Sequence, residues 1–181
     1  MPSDPTVPRV AHRRAAVAAA REALTGLASV LWQAQGADLG RVFREVDDLS
    51  RAVEAARVAV LAEAVDRGET STSAVSMGSA GVGWVCEHAP TLAANGGAAR
   101  LFRVVTDTMT ASRGATDAGT TQPHPLRAAL VDGRVQVSNA AVCLNEMARL
   151  HPQLTPAAVP AVWDAYLTLA MVAGPGEIRG L

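Results

Sequence analysis

Apolar residues recur along the first third of the chain at alternating steps of three and four. Val17, Ala20, Leu24, Leu27 and Leu31 form one such stripe, which predicts a helix from about Ala11 to Gln33. Leu39, Val42, Val46, Leu49, Val53, Ala56 and Val60 form a second. It predicts a helix from an N-cap at Asp38 to about Arg67, roughly 45 Å long, with Gly68 as its stop. Gln35-Gly36-Ala37 is a short connection, so the two helices are expected to fold back as an antiparallel hairpin. Spacing of this kind keeps one seam toward a partner helix. The partner is expected within the chain, with a dimerising coiled coil as the alternative.

Shorter periodic segments follow. Ser79 is placed to cap a helix through His88, anchored by Trp84, and Thr91–Ser112 reads as another helix, interrupted at Gly96-Gly97. Arg113–Pro125 is a polar Gly/Thr/Pro loop, the clearest internal boundary and a hinge candidate. A short helix near Leu126–Val131, a turn at Asp132-Gly133 and a helix capped by Ser138 that runs to Leu150 come next. Thr155-Pro156 suits the start of a last long helix ending at Gly174-Pro175, and Gly176–Leu181 resembles a further first turn. Period-two alternation is confined to Val135–Val137, too short for a sheet. The expected fold is all-α: a disordered tail over residues 1–10, then a helical domain over 11–181. That domain holds the long hairpin (11–68), shorter helices (79–112 and 125–174) and the loop 113–125.

Composition narrows the packing. The chain of 181 residues is 49% apolar but only 3% aromatic, so Ala and Val must fill the core, which suits close helix–helix contact. A net charge of −1 gives no general attraction to nucleic acid or acidic membrane. All 16 basic residues are Arg, which excludes Schiff-base lysines, phosphate-loop lysines and Ser-Lys dyads. The most apolar window, Pro156–Gly174, contains Pro160 and Asp164 and reads as a core helix rather than a membrane span. The first 14 residues contain no apolar signal segment, and Cys86 and Cys143 lack CxxC partners. Both observations fit a cytoplasmic protein with free thiols.

No catalytic constellation emerges. Cys86 and His88 stand two apart, on different sides of a helix, and His12, His124 and His151 are isolated, so no metal site is expected. Gly78–Gly83 is glycine-rich, yet no strand precedes it and no Lys follows, which fails both nucleotide-binding fingerprints. The charges of the second helix, Asp47–Arg51 and Glu63–Arg67 among them, read as solvated-face pairs worth about 0.2–0.5 kcal/mol each. No cofactor and no small-molecule substrate is indicated. The Leu126–Leu150 unit can be read as a helix-turn-helix whose second helix enters a DNA groove, or as a packed helical hairpin. The groove reading makes Arg127, Arg134 and Asn139 contact candidates.

The segment Val131-Asp132-Gly133-Arg134-Val135-Gln136-Val137-Ser138-Asn139-Ala140 resembles the V-D-G-R-V-x-V-x-x-A signature of the domain of unknown function 222, or 13E12 repeat, family. Asp38-Leu39, Ala55-Ala56-Arg57, Arg67-Gly68, Trp84, Leu150-His151-Pro152, Asp164–Leu167 and Gly174–Ile178 extend the likeness over about residues 20–181. The resemblance implies an actinobacterial, helical region of the kind often followed by an HNH endonuclease domain. It transfers no catalytic residue. The sequence stops at Leu181 without a His-Asn-His motif, which implies a truncated or stand-alone module lacking nuclease activity. The expectation is therefore a non-catalytic helical module that engages DNA, with Arg100 and Arg103 joining Arg127, Arg134 and Asn139 as contact candidates. The alternative is an interaction module that homodimerises through the first two helices.

Overall fold

The computed structural model describes residues 10–71, 79–114 and 124–179, and among them helix is the only extended regular structure. The α-helices are α1 (Val10–Leu27), α2 (Gly36–Asp66), α3 (Ala80–His88), α4 (Gly97–Gly114), α5 (Pro125–Val131), α6 (Val137–Leu150), α7 (Val159–Val172) and α8 (Pro175–Ile178). The all-α expectation holds. The tail expected over residues 1–10 falls almost wholly outside the described residues, as does most of the loop expected over 113–125. The chain divides into two compact units, Met1–Asp47 and Asp48–Leu181, with the boundary inside α2.

In the first unit α1 stops at Leu27, six residues before the sequence pattern ends. Local hydroxyls end it. Thr25 bonds back to the Arg21 carbonyl at 3.0 Å and Ser29 to the Gly26 carbonyl at 2.7 Å, and such side chains compete with the helical ladder. Leu31–Gln33 then forms a single 3-10 turn. α2 begins at Gly36, so Asp38 is not its N-cap but lies in the first turn, 3.9 Å from Arg41. A carboxylate there still meets the positive end of the helix. No residue of α1 is buried.

The second unit holds the core. α6 packs on α4, α5, α7 and α8, and α4 packs on α3 and α5. Val104, Leu126, Ala129, Leu130, Ala140, Cys143 and Ile178 are at most 1% exposed. Burying a Val or Leu fully is worth about 1.5–3 kcal/mol, so these positions dominate the stability of the unit. α2 joins the core through Val58, Leu61 and Ala62.

Small residues set how closely the helices meet. A Cβ on Gly81 would lie 2.1 Å from the Phe102 ring, so the glycine-rich run serves the seating of α3 on α4. Ser79 caps α3 as expected, its hydroxyl accepting from Val82 N at 3.2 Å. The break before α4 is made by Asn95 (φ 56°) and Gly96 (φ 68°), left-handed positions that stop the ladder.

Two later boundaries differ from expectation. α6 starts at Val137 after Gln136, which leaves Ser138 inside the first turn rather than at the cap. α7 starts at Val159, not beside Thr155-Pro156. Pro160 decides this, because proline is tolerated in a helix's first turn and clashes with the preceding turn anywhere further in.

Candidate interaction surfaces

α2 presents two apolar faces within the second unit. Val58, Leu61, Ala62 and Val65 gather on one side and are buried or half-buried. At about 100° per residue, Leu49, Val53, Ala56 and Val60 fall roughly half a turn away. Val53 is 44% and Val60 61% exposed, and Leu49 is only half-buried. The seam expected to be internal core is therefore not buried at any position. In the first unit the same helix carries Leu39, Phe43 and Val46, all exposed, and α1 carries exposed Val17 and Leu24.

The residues expected to touch DNA separate into different roles. Asn139 is 6% exposed, and its amide nitrogen donates to the carbonyls of Ala170 and Ala173, both at 2.9 Å. It ties the first turn of α6 to the end of α7 and is withdrawn from base contact, since α6 is an internal helix. Its Oδ1 is buried without a hydrogen-bond partner. Arg134 is exposed, 3.1 Å from Asp132 and 3.8 Å from the Met171 sulfur. Arg127 lies 4.0 Å from Asp66, half-buried between α5 and the end of α2. These three do not converge.

Arg100 and Arg103 do converge. They lie one turn apart on α4 and line a cleft of about 380 Å³ with Ser138, Asn145 and Arg179. Arg103 donates to the Asn145 side-chain oxygen and lies 3.4 Å from Asp107. Arg100 lines a second hollow with Glu54, Arg57 and Ser138. Arg179 was not anticipated from the sequence. It follows α8 directly, and α8 is held by Ile178, which is fully buried, and by Glu177 accepting from Gly174 N at 2.7 Å. The Gly174-Pro175 start was legible, but the side on which Arg179 emerges depends on the docking of α8 against α6.

Burial shifts three titratable groups of the unit toward their neutral forms. Burial pushes the Cys143 thiol up to about 11, and its sulfur faces the Tyr166 carbonyl at 3.8 Å. Burial, and then the charge of Glu146, raise the Tyr166 phenol above its ordinary value. His124 is lowered by burial; its Nδ1 accepts from Leu126 N at 3.2 Å and its ring meets Trp163 edge-on at 4.7 Å. His88 stacks on Trp84 at 4.4 Å, on the same helix as half-buried Cys86. Among the described residues no group of three or more His, Cys, Asp or Glu could hold a metal ion, and no helix is long and apolar enough to cross a membrane.

Comparison with protein-family models, with curated proteins and with solved structures finds no match to the chain.

Proposed function

We propose that the chain is a non-catalytic helical association module that pairs with a second copy of itself along the outer face of α2. One observation carries this reading: Leu49, Val53, Ala56 and Val60 keep helical seam spacing on the side of α2 that the core does not use, and Val53 and Val60 stay exposed. The spacing continues along the helix to Val46, Val42 and Leu39. Monomers seldom leave a continuous apolar stripe in water.

Residue types point to a copy of the chain as the partner. Val46, Val53 and Val60 repeat every seven residues, with Val42, Leu49 and Ala56 between them. β-branched residues dominate one seam position, and such residues with Leu at the other, here at Leu49, are the pattern of two-stranded pairing. A twofold axis presents the same patch from each copy, so a self-complementary stripe needs no second protein.

Light scattering over a range of concentrations tests the proposal, with Val53→Asp/Val60→Asp as the variant. The wild type should approach twice the monomer mass, and the variant should stay monomeric with unchanged helix content. A wild type that is strictly monomeric at high concentration, or a variant that still dimerises, would refute it.

The resemblance to helical regions beside HNH nucleases keeps DNA as a second partner, and the cluster of Arg100, Arg103 and Arg179 favours it. With Asn139 inside the fold, such engagement would be to phosphates rather than bases, and its affinity would fall steeply with salt.

A further inference from the structure

We propose that the cleft between α4, α6 and α8 is a binding site for a terminal phosphate, the phosphate monoester of a small molecule or of a nucleic-acid end. The inference deepens the phosphate-contacting reading of these arginines and is independent of the pairing of α2. Arg100, Arg103 and Arg179 come from two separate helical segments and line one concavity that, among the described residues, no carboxylate lines. Guanidinium forks match phosphate oxygens in pairs, and like charges gathered in one hollow favour the entry of an anion.

The charge balance selects the ligand. The nearest acid on these arginines is Asp107, 3.4 Å from Arg103, and Glu177 is turned back onto Gly174 N. The side chains of Arg100 and Arg179 form no ion pair or hydrogen bond among the described residues. The Arg100 and Arg179 guanidiniums therefore bring unpaired positive charge to the cleft, and Arg100 also borders the adjoining hollow, where Glu54 and Arg57 stand. A phosphate monoester carries about −1.5 to −2 near neutral pH and meets that charge, whereas a carboxylate or a backbone phosphodiester carries a single charge. Ser138 and the Asn145 amide supply neutral partners on the α6 wall. The volume, about 380 Å³, lies in the range of small-ligand sites and suits one phosphorylated group.

The test is titration calorimetry at low salt with four probes. These are a mononucleotide 5′-phosphate, its nucleoside, and a short single-stranded oligonucleotide with either a 5′-phosphate or a 5′-hydroxyl. At least one phosphorylated probe should bind about tenfold or more tightly than its unphosphorylated counterpart. Arg100→Gln and Arg179→Gln should each weaken that binding by about tenfold, while Arg44→Gln, on exposed α2, should not. Binding of the mononucleotide identifies a small ester as a sufficient ligand, and binding of the phosphorylated oligonucleotide alone identifies a nucleic-acid end. Three results would overturn the assignment: no binding of either phosphorylated probe at millimolar concentration, neither phosphorylated probe preferred over its unphosphorylated counterpart, or unchanged affinity in both cleft variants. The calorimetry reads the same on monomer and dimer, so failure of the α2 proposal would not be mistaken for failure of this one.

Discussion

α6 and α2 are both amphipathic, yet α6 buries six of its 14 residues and α2 only four of its 31. α6 is covered by four other helices, so its apolar residues are spent on the fold. α2 is anchored near its C-terminal end by Val58, Leu61, Ala62 and Ala64, and the rest of its apolar stripe reaches solvent. The contrast shows that helical periodicity marks where apolar surface can be buried without saying whether the chain itself buries it.

The largest break in that contrast should come from the α6 side. Leu130, packed beside α6 and 1% exposed, should cost about 2–5 kcal/mol when changed to Ala, from lost transfer energy and the cavity left behind. Val53→Ala on the outer face should leave the folding of the isolated chain within about 0.5 kcal/mol. Urea unfolding of both variants checks the pair, and equal losses would mean that the two faces are used alike. Gly81→Ala should follow at about 1–3 kcal/mol, because the added methyl must displace the Phe102 ring; a neutral result would show that α3 moves freely on α4. Ser79→Ala, which removes the α3 cap, should cost about 1 kcal/mol in the same assay.

The smallest effect expected is a pH dependence confined to the second unit. Burial lowers the His124 pKa below its ordinary 6.5, so the unfolded chain takes up the proton first as pH falls. The stabilisation is complete above about 6.5 and declines below it, toward the folded-state value. Protonation would also remove the Nδ1 acceptor that caps Leu126 N. His124→Gln should flatten this part of the stability profile, and a wild-type profile already flat between pH 7 and 5 would contradict the assignment.

Much of the fold was legible because its determinants are local. Ser79 as a cap, the glycine turns at Gly68 and Gly133, and the short helix before Asp132 need only neighbouring residues to specify them. Pro160 also carried a readable signal for the start of α7, outweighed in the sequence by the Thr155-Pro156 pair. The use of the α2 faces was not legible: Val58, Leu61 and Val65 have the same spacing as the longer outer stripe, and only the docked helices distinguish them. Of the expected DNA contacts, Arg100 and Arg103 meet because they are one turn apart on α4. Asn139 was misread because its polarity suggests exposure, while its amide is needed to close the carbonyls at the end of α7.

Amide hydrogen exchange, followed segment by segment at two protein concentrations a hundredfold apart, tests the division of labour between α2 and α6 most directly. If the outer face of α2 is completed by a second copy, protection over residues 39–57 should rise with concentration, while protection over residues 126–147 stays constant. Val53→Asp should abolish the rise. Protection of residues 39–57 that is the same at both concentrations would contradict the account.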